Sequence, residues 1–129
     1  MSECGCLYMG DGEPIDLSQD RVIVARKEHA CYECRRVIAR GERHELVTGR
    51  CEGEWVSYRT CLVCVEIRSA LSCDGWVYGW LWQSVHEMFA ESAPAFPSGC
   101  IDKLETVAAK ERMAAEWRAS VGLAASGDS

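Results

Sequence analysis

Two pairs of cysteines are the residues best suited to do chemistry in this chain. Cys31 with Cys34 and Cys61 with Cys64 form two CxxC motifs that are 26 residues apart. A CxxC turn directs two sulfur atoms toward one point, so two such turns supply the tetrahedral four-thiolate set that Zn²⁺ prefers. A four-thiolate site leaves no coordination position for water or substrate, which favours a structural zinc ion over a catalytic one. The alternative, two separate redox motifs, lacks the βαβ setting of thioredoxin-like proteins.

Five further cysteines suggest a second zinc site. Two of them lie close together in an N-terminal arm that is rich in glycine and acidic residues and would be difficult to order without a metal. His29 precedes Cys31 by two residues and points away from the first site if this segment is extended. We predict about two zinc ions per chain, with the second ion held by Cys4, Cys6, His29 and Cys73. Cys51 and Cys100 are alternative fourth ligands, and His29 could equally be a surface histidine.

The composition favours a small cytoplasmic protein. At 129 residues the chain is short enough for a metal ion to supply a large share of its stability. The longest apolar stretch, near residues 76–81, is far shorter than a bilayer span, and the N-terminal residues show no signal-peptide pattern. Nine cysteines in a cytosolic chain indicate metal ligands more than disulfides, although a secreted disulfide scaffold is the alternative. We therefore expect a cytoplasmic location and no membrane partner.

Charge is distributed unevenly along the sequence. The formal net charge is −6, but residues 21–50 contain eight basic residues against four acidic ones. Binding of zinc to four thiolates makes the protein more acidic still, by about two charges per site. A surface for nucleic acid could come only from the basic segment. Its candidate residues are Arg35, Arg36, Arg40, Arg43 and Arg50, and the alternative is an ordinary solvated surface.

The predicted elements place the two CxxC motifs in a small α+β fold. The first motif lies in a knuckle that follows a short strand at residues 22–24, and a hairpin turning at residues 51–54 comes next. Cys61 and Cys64 then open a helix, whose N-terminal dipole favours their thiolate forms. This order of knuckle, β-hairpin and helix predicts a treble-clef zinc finger.

Two C-terminal helices should follow the finger. Residues 76–91 and 102–120 have helical periodicity, whereas the first twenty residues read as a loop. We divide the chain into a zinc-binding treble-clef domain with a Cys-x-Cys arm, residues 1–92, and a helical extension with a frayed tail, residues 93–129. The last helix could pack on the preceding one, on a second copy or on a partner, and packing within the chain is favoured.

A specific pattern links this chain to a group of phage proteins. The segments ARKEHACYEC at residues 25–34, GERHE at 41–45 and TCLVC at 60–64, together with Ile38, resemble cysteine-rich treble-clef zinc proteins of tailed phages and prophages. The resemblance covers roughly residues 3–92 and implies a phage origin, with the cytoplasm of a bacterial host cell as the location, and a treble-clef zinc fold. It implies no particular activity. Those proteins often have an aromatic residue at the position of His44, which argues against His44 as a metal ligand.

A non-enzymatic binding role is the leading functional hypothesis. We expect a phage accessory protein that binds a host or phage protein, for example to block a defence system, with Trp55 and Trp117 as partner-binding candidates. The alternative is a nucleic-acid-binding zinc finger. An HNH-like nuclease is disfavoured because His44 precedes the hairpin and the helix after Cys64 contains no histidine. The sequence leaves the oligomeric state open.

Overall fold

A computed structural model describes residues 6–7, 16–72 and 77–127. The five strands are β1 (Asp16–Val24), β2 (His29–Ala30), β3 (Val37–Ile38), β4 (Arg43–Cys51) and β5 (Glu54–Cys61). The four helices are α1 (Leu62–Leu71), α2 (Leu81–Ser92), α3 (Ser98–Ile101) and α4 (Val107–Gly127). None of the helices in these ranges is both long and apolar enough to cross a membrane.

The larger sheet has three antiparallel strands in the order β1-β4-β5. Strands β4 and β5 form the predicted hairpin, and its turn has positive φ angles at Glu52 (52°) and Gly53 (84°). Two consecutive positive φ angles give the turn the twist that a tight hairpin requires. Strand β1 begins at Asp16, so residues 16–20 pair with β4 and are not in a loop as predicted. Short-range signals did not reveal this pairing because it depends on contacts with residues 27 to 34 positions away along the chain.

The knuckle between β2 and β3 holds the first CxxC motif. The backbone N–H of Cys31 donates to the carbonyl of Arg36, and the N–H of Arg35 donates back to the carbonyl of Cys31. Arg35 adopts a positive φ of 67°, which closes the turn. The N–H of Tyr32 donates to the carbonyl of Arg59 at 2.7 Å and so attaches the knuckle to β5.

Helix α1 covers one face of the three-stranded sheet. The contact includes a buried ion pair in which Nη2 of Arg68 donates to both carboxylate oxygens of Glu45 at 3.0 Å. A cluster of buried apolar side chains joins α1 to the C-terminal helices. Its fully buried members include Ile38, Ile67, Leu71, Leu81, Val85, Ala109 and Met113.

The C-terminal helices pack against the cysteine-bearing part of the chain. Helix α4 is capped by Thr106, whose hydroxyl accepts the N–H of Ala109 at 3.1 Å. Glu66 of α1 accepts the backbone N–H groups of Glu105 and Thr106 and thereby fixes the start of α4 on α1. Packing within the chain is therefore the arrangement found for this helix. Helix α2 starts at Leu81, five residues later than predicted, and the short helix α3 was not predicted.

Candidate metal centre

The four cysteines of the two CxxC motifs meet in one cluster. Their Sγ atoms all lie within 4.8 Å of one another, and Cys31, Cys61 and Cys64 are buried. Zn–S bonds of about 2.3 Å in a tetrahedron place the sulfur atoms about 3.8 Å apart. The Sγ atoms of Cys34 and Cys61 are 3.9 Å apart, which matches this spacing. The donor set and its dimensions therefore fit a zinc ion.

Backbone N–H groups are directed at the sulfur of Cys31. The N–H of Cys34 donates to it at 3.5 Å and the N–H of Cys61 at 3.4 Å. The second donor comes from the residue that precedes helix α1, so the knuckle and the helix start are joined through one sulfur atom. Hydrogen bonds of this kind favour thiolates and orient metal ligands.

The proton affinities of the four thiols are strongly interdependent. Hydrogen bonds from the other three thiols lower the pKa of Cys34. At Cys31, the hydrogen bond with Cys34 raises the pKa, whereas those with Cys61 and Cys64 lower it. The net result is a pKa lowered to about 6. The same contacts raise the pKa of Cys61 and of Cys64. These shifts favour the thiolate form at two of the sulfurs and the thiol form at the other two, and a divalent cation would allow all four to be thiolates.

Two arginines supply positive charge beside the cluster. For Arg112, desolvation lowers the pKa of the guanidinium and the hydrogen bond with the Cys34 sulfur raises it. The net result is a raised pKa. For Arg36, the hydrogen bond with Glu42 is the largest cause of a raised pKa, and contact with Cys61 adds to it. Because zinc with four thiolates carries about two negative charges, these guanidinium groups would stabilise a zinc-loaded site.

Trp82 is a contact to the cluster that the sequence did not reveal. Its indole Nε1–H donates to Sγ of Cys64 at 3.3 Å, and its ring lies under the guanidinium of Arg112 at 4.6 Å. Helix α2 presents Trp82 because Glu33, inside the first CxxC motif, accepts the N–H of Gly79 at 3.0 Å and of Leu81 at 3.1 Å. The only sequence signal for this contact was the enrichment of tryptophan in the segment after α1.

Burial raises the pKa of the Glu33 carboxyl, although the N–H donors from Gly79 and Leu81 oppose the shift. Gly79 has a positive φ of 93°, and a Cβ atom there would lie 2.9 Å from the Tyr32 ring. A glycine is therefore required where the chain enters α2 beside the first CxxC motif. The start of α2 therefore packs directly against the residues between Cys31 and Cys34.

The structure does not show the predicted second zinc site. Cys6 forms a disulfide with Cys100, so the Cys6 sulfur is not available as a thiolate ligand. The remaining two cysteine ligands, Cys4 and Cys73, lie outside the described residues. His29 is in β2, where its ring faces that of His44 with centroids 5.9 Å apart. Over residues 6–7, 16–72 and 77–127, the four cysteines of the CxxC motifs are the one group of three or more potential metal ligands close enough to share an ion.

Cys51 and the two tryptophans predicted to bind a partner differ in accessibility. Cys51 is a half-buried free thiol at the end of β4. Trp55 has 62% of its surface exposed. Trp117 is half-buried and makes edge-on ring contacts with Phe89 and Phe96, so its ring packs within the chain.

The candidate arginines for nucleic acid do not share one surface. Arg35 and Arg36 lie in the knuckle, and Arg36 forms an ion pair with Glu42. Strand alternation places Arg43 and Arg50 on opposite faces of the sheet. Arg40 is exposed in the turn before β4. The five arginines predicted from the sequence are thus divided among the knuckle, the turn before β4 and the two faces of the sheet.

His44 has no accessible ring nitrogen. It lies within β4, paired with Cys61, and not before the hairpin as expected from the sequence. It is fully buried, its Nδ1 lies 3.3 Å from the carbonyl oxygen of Glu42, and its Nε2 lies 2.8 Å from Nη1 of Arg59. These partners identify the neutral tautomer with hydrogen on Nδ1, since the guanidinium can only donate. Together, partial desolvation and the charge of Arg59 lower the pKa of the neighbouring His29.

The fold and the site define a small α+β protein with a tetracysteine cluster that could bind zinc. Neither the family models nor the curated proteins and solved structures contain a match to this chain.

Proposed function

We propose that this protein is a non-enzymatic binding module whose fold is held together by one structural zinc ion. The observation that carries the proposal is the cluster of four cysteine sulfurs within 4.8 Å of one another. All four tetrahedral positions would be filled by the chain, so no position is open for a substrate or an activated water. Such a site contributes to folding, because the ligands must be brought together before the metal can bind.

We further propose a treble-clef arrangement around the metal. Its support is the order of the elements: a knuckle with Cys31 and Cys34, the β4-β5 hairpin, and a helix that starts directly after Cys61. The buried state of His44 adds a reason to favour binding over nuclease chemistry, because a general base must reach its substrate. The phage origin and the protein partner expected from the sequence stay predictions, and exposed Trp55 is the better of the two aromatic candidates for such a contact.

A pair of cysteine variants tests the structural role of the metal. Cys64→Ser removes a buried ligand, whereas Cys51→Ser changes a half-buried free thiol outside the cluster. We expect wild type and Cys51→Ser to bind about one zinc ion per chain and to unfold cooperatively, and Cys64→Ser to lose zinc and cooperative unfolding together. Elemental analysis and circular dichroism measure both properties. A Cys64→Ser protein that folds as stably as wild type would refute the structural role.

A further inference from the structure

The outer face of the three-stranded sheet, opposite to the face covered by α1, carries a groove lined by basic residues. Arg21, Leu46 and Arg59 are in register across β1, β4 and β5. The groove extends from them to the loop before β2 and has a volume of about 960 Å³. Besides Arg21 and Arg59, its lining includes Ile23, Arg26, Lys27 and His29. A strongly cationic groove is unexpected in a chain with a formal net charge of −6.

The cations of this groove have no acidic partners within the described part of the chain. The ion pairs found there join Arg36, Arg68, Arg112 and His86 to glutamates, and none involves Arg21, Arg26, Lys27 or Arg59. Arg59 is held in place by the buried His44, whose Nε2 accepts its Nη1–H. Four positive charges without counterions at one concave surface create a potential that attracts anions.

An exposed aromatic ring lies on the same face. Trp55 is 62% exposed and pairs across the hairpin with Arg50, whose guanidinium lies 5.4 Å from the ring centre. Trp55 and Arg59 are four positions apart on β5 and therefore face the same side, about 13 Å from each other at about 3.3 Å per residue. By strand alternation, no Asp or Glu from residues 19–23, 44–50 or 55–59 lies on this face. Asp16 is in register with Arg50 at the Trp55 end of the face, and Glu54 and Glu28 flank the face at its two ends.

We propose that this outer sheet face binds single-stranded nucleic acid, with phosphates in the basic groove and a base stacked on Trp55. A single small anion could occupy the groove but could not also reach a ring about 13 Å away. A chain of phosphates and planar bases contacts both features, and in a single strand the base faces are free to stack. The proposal rests on the binding-module function above and names the ligand class. Of the arginines first considered for nucleic acid, this face includes only Arg50.

Fluorescence anisotropy with labelled oligonucleotides tests the proposal on the zinc-loaded full chain. The probes are mixed-sequence 20-nucleotide DNA and RNA single strands and the matching DNA duplex. We expect tighter binding to a single strand than to the duplex. If about five phosphates are neutralised, the affinity should fall about 100-fold between 50 and 200 mM salt.

Matched variants locate the surface. Arg21→Glu with Lys27→Glu should weaken binding about tenfold or more, whereas Arg40→Glu with Arg118→Glu makes the same change in net charge at exposed positions outside the groove and should have little effect. Trp55→Ala should weaken binding by about fivefold or more through the loss of base stacking.

Several results would overturn this assignment. These are an equal loss in the two charge-reversal variants, duplex binding as tight as single-strand binding, or no effect of Trp55→Ala. Equal binding of a poly-glutamate peptide, independent of Trp55, would indicate an acidic protein partner instead. Zinc content and circular dichroism are measured on every sample. A folded, zinc-loaded wild type that binds no oligonucleotide at 50 mM salt would overturn the ligand assignment alone, whereas a protein without zinc would contradict the module proposal.

Discussion

The hydrogen bond from Trp82 to Cys64 gives a quantitative prediction about metal affinity. Trp82→Phe keeps an aromatic ring at this position but removes the Nε1–H that donates to the sulfur at 3.3 Å. A hydrogen bond to a charged acceptor contributes about 1.5–3 kcal/mol, and about 1.4 kcal/mol corresponds to a tenfold change in affinity. Because Trp82 is half-buried, we expect the lower part of this range, which is about 10-fold weaker zinc binding.

The assay is a competition titration of zinc against a chromophoric chelator. Trp80→Phe is the matched control, since Trp80 is 42% exposed and makes no side-chain hydrogen bond to the cluster. Cobalt substitution adds a spectroscopic measurement, because loss of a hydrogen bond to a thiolate raises the electron density on sulfur and moves the sulfur-to-cobalt charge-transfer band to lower energy. Zinc affinity within twofold of wild type, with an unchanged cobalt spectrum, would refute the assigned role of Trp82.

Three further predictions concern the elements around the metal centre. Glu45→Ala removes the buried carboxylate that pairs with Arg68 at 3.0 Å and should lower the unfolding free energy by about 2–3 kcal/mol in urea titrations; a cost under about 1 kcal/mol would contradict this pairing. Cys100→Ser removes the disulfide to Cys6, which spans 94 residues, and should cost about 2–4 kcal/mol under oxidising conditions but nothing with reductant present. Glu66→Gln weakens the cap of α4 and should cost about 1 kcal/mol at neutral pH. Desolvation opposes the hydrogen bonds from Thr106 and Glu105, but together the hydrogen bonds lower the folded-state pKa of Glu66. The stability difference should therefore be present above the unfolded-state pKa and disappear as the pH falls through the folded-state pKa. Urea titrations at several pH values measure this.

The parts of the site predicted from the sequence are those encoded by short spacings. The CxxC motifs identified the cluster because two residues between cysteines fix both sulfurs locally, and the hairpin and α1 followed from strand alternation and helical periodicity. The contact from Trp82 to Cys64 joins two helices across 18 residues and depends on the Glu33 anchor. No local pattern encodes such a contact.

The second zinc site and the basic groove show what local patterns cannot supply. With nine cysteines the possible pairings are numerous, and Cys6 meets Cys100 only because α3 packs near residue 7 in the folded chain. Strand register brings Arg21 and Arg59 to the same groove. The irregularity between Leu17 and Gln19 changes the register at the start of β1. A register shift of one residue moves every side chain to the other face, so the basic surface could not be deduced from charge clustering along the sequence.

X-ray absorption at the zinc edge of the purified protein tests the central claim most directly. The tetracysteine site predicts about one zinc ion per chain with about four sulfur neighbours near 2.3 Å and no oxygen or nitrogen neighbour. A shell that contains oxygen or nitrogen, or a folded protein that contains no metal, would contradict the assignment of a closed structural site to Cys31, Cys34, Cys61 and Cys64.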